Sequence, residues 1–216
     1  MKTIKILFVI GLMSISNIGI TQNQTVDNRE NMTFAVKAGL NYSNMFSSRT
    51  EDFRADGKLG FAGGAALTIP IGEFFGLQPE VLLSQKGFKG NGVFLGTEYS
   101  FTRTTTYLDI PLQFALKPIP FLTILAGPQY SYLLRQKDDF NSSFINTSVE
   151  EEFNNQSIRN NIFGFVTGLD FQINHFAVGT RMGWDIMKNH DNGSSSTPQY
   201  KNIWVQATIG YLFYKK

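Results

Sequence analysis

The sequence contains no cysteine. That absence excludes a disulfide framework, a metal site built on thiolates and an N-terminal lipid anchor on cysteine. Basic residues barely outnumber acidic ones, 19 against 17, and removing Lys2 and Lys5 leaves 17 of each. A chain without net charge lacks the basic surface that nucleic acid requires, so we expect no nucleic-acid partner. After residue 21 no apolar run reaches about 18 residues, which excludes a spanning helix.

The first 21 residues have the three-part organisation of a secretory signal peptide. Lys2 and Lys5 form a basic head, the stretch Ile6–Met13 is apolar, and Ser14–Thr21 is small and polar. We therefore predict export, with cleavage between residues 19 and 22; the alternative is a buried N-terminal helix. The predicted organisation is a signal peptide at residues 1–21, a short N-terminal segment at 22–32 and one β-domain at 33–216.

The rest of the chain repeats segments of about 10 to 14 residues in which apolar and polar side chains alternate, which is the period of a β-strand. In the last segment Ile203, Val205 and Ile209 share one side, and Asn202 and Gln206 share the other. The predicted strands are Thr33–Ser43, Leu59–Ile69, Phe74–Gly87, Tyr107–Lys117, Phe121–Arg135, Ile158–Gln172, His175–Met187 and Tyr200–Tyr214.

Short and long connections alternate between these strands. The short ones are tight turns at Pro70–Glu73, Pro118–Pro120 and Ile173–Asn174. The long polar ones are Met45–Lys58, Phe88–Thr97, Gln136–Ser157 and Lys188–Gln199. Hairpins with short turns at one end and long loops at the other are typical of outer-membrane barrels.

Three features place the apolar face against lipid, rather than inside as in a soluble barrel. Most strand glycines fall on the polar face, where they leave room for long polar side chains in a narrow bore. Aromatic residues lie toward strand ends, as the interface girdles of a membrane barrel do. The signal peptide directs the chain out of the cytoplasm. We therefore predict an all-β fold, an eight-stranded antiparallel transmembrane β-barrel of up-and-down topology in the cell outer membrane, with short periplasmic turns and long extracellular loops.

Three prolines fall inside predicted strands, although a closed barrel offers no free edge for proline. They are Pro79, Pro111 and Pro128. We expect either β-bulges or a register error of one residue at these positions.

The segments around these prolines resemble the PorT-like outer-membrane β-barrel family of Bacteroidota. They match its signatures for strands three, four and five: Leu77–Gly87 (LQPEVLLSQKG), Tyr107–Leu112 (YLDIPL) and Ala126–Leu134 (AGPQYSYLL). The resemblance implies a barrel from about Thr33 to the C-terminus and makes the prolines family features. One group of this family acts in protein secretion, so secretion is a role that the resemblance suggests.

Charged residues on the polar face are predicted to form a network inside the barrel. Its predicted members are Lys37, Glu80, Asp109, Asp170, Arg181 and Asp185. One interpretation makes Glu80, Asp109 and Arg181 a proton or substrate site. The simpler interpretation is a paired network that fills the bore, because a buried charge without a partner is costly. We favour the second, with Arg181 pairing with one or more of Glu80, Asp109 and Asp170.

The sequence offers few groups for catalysis. His175 lies at a tight turn and His190 in a long loop, whereas a metal site or a hydrolytic triad needs several convergent groups. We therefore predict no metal, no cofactor and no enzymatic activity. The glycine-rich stretch Gly87–Gly92 precedes no helix, which excludes a phosphate loop. The acidic loop Gln136–Ser157 is expected to be solvated, and the turn Asp191–Gly193 is not a calcium loop.

Together these features predict a monomeric barrel with a plugged polar interior and a structural or interaction role at the cell envelope. The expected partners are outer-membrane lipid, the barrel-assembly machinery during biogenesis, and an extracellular or envelope protein that meets the long loops. A narrow porin-like channel or uptake pore and an outer-membrane barrel enzyme are the alternatives. An open diffusion porin is disfavoured, since aqueous channels need about sixteen strands.

Overall fold

The computed structural model of the chain describes residues 27–47, 54–94, 97–142, 146–151, 159–189 and 200–214. The predicted signal peptide at residues 1–21, His190 and the turn Asp191–Gly193 lie outside the described residues. Within the described part, no helix is long and apolar enough to cross a membrane.

The strands follow the alternation of the sequence. They are β1 Thr33–Ser47, β2 Arg54–Pro70, β3 Phe75–Phe94, β4 Thr97–Ile119, β5 Leu122–Ser142, β6 Asn146–Glu151, β7 Asn161–Ile173, β8 Phe176–Asp185 and β9 Tyr200–Phe213. Along β8 every second residue is buried, and the residues between them are exposed. This is the pleat of a strand with two different faces.

Eight of the strands close into a barrel. Each pairs with its neighbours in the order β1–β2–β3–β4–β5–β7–β8–β9, and β9 pairs back with β1. All of these pairings are antiparallel. The short β6 pairs with the end of β5 and takes no part in closing the wall. The predicted eight-stranded antiparallel up-and-down barrel is thus confirmed.

The apolar face of the barrel is outside. Leu112 is 51% exposed while the next residue, Gln113, is fully buried. On β9, Val205 is likewise 51% exposed and Gln206 is 3% exposed. Because burial here means facing the bore, the polar side chains lie in the interior, together with some apolar ones such as Leu125 and Ile162, and the outer surface is apolar as predicted.

Aromatic side chains form two exposed bands on this outer surface. The band near the periplasmic strand ends contains Phe34, Phe75, Phe171, Phe176, Tyr211 and Phe213. The band toward the extracellular side contains Tyr42, Phe61, Phe163 and Trp184. Two such girdles mark the interfaces of a membrane-spanning barrel.

The periplasmic strand ends lie within two residues of the prediction. Tight turns at residues 71–74, 120–121 and 174–175 connect the strands there. Asn174 adopts a φ of 52°, a left-handed conformation that asparagine tolerates better than most residues.

The extracellular side differs from the prediction. Strands β3, β4 and β5 contain 20, 23 and 21 residues, about twice the 9–11 residues that a strand needs to cross a membrane. The predicted loops Phe88–Thr97 and Gln136–Ser157 are therefore partly wrong, because β3 and β4 continue through the first and β5 and β6 pair within the second. We call residues 88–94, 97–105, 136–142 and 146–151 the extracellular extension. The inner face of the extension stays buried at Phe88, Arg103 and Thr105, but its outer face meets water instead of lipid, so the apolar half of the alternation that predicts strands disappears there.

The three prolines interrupt the wall without shifting it. Each remains paired with the strand that follows: Pro79 with Leu112, Pro111 with Gln129 and Pro128 with Phe165. Toward the preceding strand, two consecutive pairs are missing around each proline, and the register then resumes unchanged. The predicted bulges or register errors are thus wrong at these positions. Proline removes an N–H donor, so the wall loses local hydrogen bonds but keeps its alignment.

Candidate functional site in the barrel interior

Four buried charged side chains form a group in the periplasmic half of the bore that we call the central ion-pair network: Lys37, Glu80, Asp170 and Arg181. Arg181 donates two hydrogen bonds to Asp170, at 2.7 and 2.9 Å, and one of 3.3 Å to Glu80. The Lys37 ammonium lies 2.8 Å from Glu80 and 3.2 Å from Asp170. Each acid is thus bound by both cations, and the four charges sum to zero.

The strands supply these charges one at a time, from β1, β3, β7 and β8. Glycines on the inner face make room for them. A Cβ at Gly179 would overlap the Asp170 carboxylate, and one at Gly168 would overlap the Arg181 side chain and the backbone before it. The Gln78 amide donates to Glu80 at 2.7 Å and to Asp170 at 3.3 Å. The network is therefore both paired and tightly enclosed.

A second group, which we call the upper lysine site, lies farther along the bore. The Lys86 ammonium lies 2.9 Å from the nearer carboxylate oxygen of Asp109. It also sits 4.9 Å from the centroid of the Tyr107 ring and 5.1 Å from that of the Trp204 ring. Cations bind favourably over aromatic faces when water is excluded. Gly183 is required here, because a Cβ at that position would overlap the Trp204 indole.

The predicted interior network is therefore divided into two groups. Asp109 pairs with Lys86, which the predicted network did not include, and Arg181 pairs with the other two acids proposed for it. Asp185 accepts hydrogen bonds from Asn202, at 3.1 Å from the backbone N–H and 2.6 Å from the side-chain amide. Which cation pairs with which acid depends on the stagger of the strands around the barrel, and the sequence pattern does not encode that stagger.

A third group lies at the base of the extracellular extension, and sequence reasoning did not find it. Arg103 donates hydrogen bonds of 2.8 and 2.6 Å to the two carboxylate oxygens of Asp138. Its guanidinium also lies 5.8 Å from the ring centroid of Tyr200, which packs edge-on against Phe88 at 5.2 Å. These residues close the bore where β4 and β5 leave the membrane. The residues on either side of Arg103 and of Asp138 are polar as well, so no alternation with apolar residues marks these two as inward-facing in the sequence.

The periplasmic mouth is covered by the residues that precede β1. Asn28 is buried there, and the Lys117 ammonium donates a 2.9 Å hydrogen bond to the carbonyl of Arg29. The Arg29 guanidinium binds both carboxylate oxygens of Asp27, at 3.0 and 2.7 Å. These hydrogen bonds hold the pKa of Asp27 below its usual value. A cavity of about 40 Å³ separates this segment from the central ion-pair network.

His175, the histidine within the described residues, makes contacts that connect two parts of the barrel wall. His175 Nδ1 lies 3.0 Å from the carbonyl oxygen of Leu212, and its ring stacks on Tyr214 with 4.4 Å between centroids. Both contacts fasten the β7–β8 turn to the end of β9.

A closed antiparallel barrel with an apolar, aromatic-banded outside and an ion-paired polar inside is an outer-membrane β-barrel. Comparison with protein families agrees with that class. Residues 21–202 match the family described as outer membrane protein beta-barrel domain, and the chain belongs to that family. Membership supports an outer-membrane location. No protein with a curated description shows significant sequence similarity to the chain.

Several solved outer-membrane proteins are similar in structure at low sequence identity. Neisserial surface protein A is 11% identical with a TM-score of 0.49, and the match covers 83% of this chain and 97% of that one. The attachment invasion locus protein of Yersinia pestis is 12% identical with a TM-score of 0.47, over 84% and 99% of the two chains. The outer membrane protease OmpT of Escherichia coli is 8% identical with a TM-score of 0.39, over 85% and 97%.

Proposed function

We propose that the protein is a non-conducting outer-membrane scaffold whose extracellular extension meets a protein partner of the cell envelope. The observation that carries this proposal is the series of side-chain barriers along the bore. The central ion-pair network, the upper lysine site and the Arg103–Asp138 pair follow one another from the periplasmic to the extracellular end.

Paired charges support a closed bore better than an open one. An ion that passed the central network would have to displace Lys37 or Arg181 from the two acids that each contacts. Leaving a buried charge without its partner costs several kcal/mol. Bulky groups strengthen the barrier at the upper lysine site, where Tyr107 and Trp204 flank Lys86. An eight-stranded bore is in any case only wide enough for side chains to fill.

The extracellular extension supports an interaction role. Its strands are hydrogen-bonded to one another from the membrane outward, so it presents a preformed sheet rather than a flexible loop. The outer face carries polar side chains, among them Lys89, Thr102, Thr104 and Lys137. A preformed surface binds a partner without first losing conformational entropy, which favours affinity.

The resemblance to the PorT-like family of Bacteroidota adds a suggestion about the partner. Three strand segments carry that resemblance, around Pro79, Pro111 and Pro128, and all three lie on strands that continue into the extension. Because one group of that family acts in protein secretion, we propose that the partner is a protein of the secretion pathway or of the envelope. On this proposal the barrel works as a monomer and performs no catalysis.

A gene-deletion strain complemented with two variants tests the proposal. In the first, residues 91–100, between the paired Gly90 and Phe101, are replaced by an Asn-Gly turn, which shortens the β3–β4 hairpin. We expect this variant to fold, as shown by heat-modifiable migration, and to leave the secretion or envelope defect of the deletion uncorrected. The control is Ile71→Ser, in an exposed periplasmic turn, which should complement fully. Full complementation by the shortened variant would contradict the role of the extension.

A further inference from the structure

The residues before β1 fold back across the periplasmic end of the bore. We call residues 27–32 the strap. The backbone N–H of Asn31 donates a 3.1 Å hydrogen bond to the carbonyl of Asn28, which makes the strap a turn rather than an extended tail. Asn28 points inward and is only 6% exposed.

Arg29 makes most of the contacts that hold the strap down. Its guanidinium lies 2.5 Å from the carboxylate of Glu73 and 5.3 Å from the centroid of the Phe74 ring, both in the β2–β3 turn. Its carbonyl accepts the 2.9 Å hydrogen bond from Lys117 at the end of β4. Two separate hairpins thus hold one residue of the strap.

The ion pairs of Arg29 are weak contacts. The Arg29 side chain is 12% exposed, but its partners Glu73 and Asp27 are 45% and 46% exposed, and ion pairs with a solvent-exposed partner contribute little to stability. In the central ion-pair network, by contrast, all four charged side chains are buried and each cation contacts both acids. Segments with few buried apolar contacts open locally while the rest of a fold stays intact.

A chamber lined by both polar and apolar side chains lies under the strap. Its volume is about 40 Å³, and its lining includes Asn28, Lys37 and Asp170 together with Ala35, Ala66 and Leu212. Both polar atoms of the Asn28 side chain are buried without a protein hydrogen-bond partner. With the Asn28, Lys37 and Asp170 side chains in its lining, a chamber of this size has room and polar partners for an ordered water molecule.

We propose that the strap is a releasable periplasmic lid: Arg29 holds it over the chamber, and its detachment opens the chamber and the central ion-pair network to small hydrophilic molecules of the periplasm. The lid acts at the end of the barrel opposite to the extracellular extension. The lid proposal is therefore tested independently of the proposed interaction role.

The absence of native cysteine makes site-specific labelling a direct test. Ala66→Cys places one thiol in the chamber at a position that is 2% exposed, and Ile71→Cys places one in an exposed periplasmic turn as a control. The purified barrel in detergent micelles is treated with a small charged methanethiosulfonate reagent, and the labelling rate is followed by mass. We expect the chamber thiol to react more slowly than the turn thiol by about tenfold or more, since it reacts only after local opening.

Arg29→Ala should then accelerate labelling of the chamber thiol by about tenfold, because it removes the ion pair and the ring contact with the β2–β3 turn. It should leave the turn thiol unchanged. Glu73→Gln and Lys117→Met weaken the same attachment from two other elements and should accelerate labelling in the same direction. Glu30→Ala, an exposed position of the strap, serves as the control without effect.

Two results would overturn the proposal. One is a chamber thiol that reacts as fast as the turn thiol in the otherwise unchanged barrel. The other is a chamber rate that none of the three variants alters while heat-modifiable migration shows a folded barrel. If Arg29→Ala does not fold, the comparison between Glu73→Gln and Glu30→Ala decides the question.

Discussion

Removing the arginine of the central ion-pair network should destabilise the barrel strongly. In Arg181→Met, Lys37 remains as the cation that contacts both Glu80 and Asp170. One buried negative charge is then uncompensated, and we expect a loss of about 3–5 kcal/mol in the free energy of unfolding. Methionine keeps much of the side-chain volume, so a cavity contributes little to that loss.

A second substitution separates the electrostatic cause from a packing cause. Asp170→Asn added to Arg181→Met removes the excess charge, so the double variant should recover about 2 kcal/mol or more. Asp170→Asn alone should be destabilising, because it leaves an uncompensated cation. Urea unfolding in detergent micelles, followed by tryptophan fluorescence and by heat-modifiable migration, measures all three variants. A loss below about 1 kcal/mol in Arg181→Met, or no recovery in the double variant, would refute the reasoning.

The same unfolding measurement tests which strand face points toward the lipid and how tightly the interior is packed. Leu112→Arg should cost about 2–4 kcal/mol near the membrane midplane, and Gln113→Ala should cost less; the reverse ranking would mean that the faces are inverted. Gly183→Ala forces a methyl group against the Trp204 indole and should cost about 1–3 kcal/mol. The control is Gly63→Ala, whose Cβ would meet no atom closer than 3.5 Å and which should leave the free energy of unfolding nearly unchanged. Equal losses of stability in Gly183→Ala and Gly63→Ala would contradict the packing described. Membrane fractionation should recover the mature chain in the outer membrane, and a soluble periplasmic protein would contradict that location.

The membrane-spanning part of the fold was predictable because one physical constraint acts on every residue there. Each strand has lipid on one side and a narrow bore on the other, so apolar and polar side chains must alternate. Residue type therefore shows that Val205 faces the lipid and Gln206 faces the bore. The turns were predictable because they interrupt that alternation with proline, glycine and asparagine.

The extension and the strap were not predictable, for two different reasons. Thr102 and Thr104 lie in the part of β4 that extends beyond the lipid, so no apolar outward-facing residues separate this stretch from a polar loop. The strap looks like a linker, since polar residues such as Asn28 and Arg29 gain their contacts only when β2–β3 and β4 bring Glu73 and Lys117 to the same place.

Inside the bore, residue type predicted that charges pair but not which ones. The pairing of Lys86 with Asp109 arises between adjacent strands, whereas Lys37 reaches Asp170 across the bore. Both outcomes satisfy the same rule that a buried charge needs a partner. The choice between them follows from strand stagger, which is a property of the closed barrel and not of any one segment.

Single-channel recording in a planar bilayer tests the closed bore most directly. The purified wild-type barrel is predicted to insert without a steady open conductance, because three successive groups of paired or aromatic side chains block the path. Arg181→Met should show no steady conductance either while it remains folded. A steady open conductance in the wild type, with an ion selectivity that Arg181→Met alters at unchanged stability, would show that these charges line a working pore and would contradict the account.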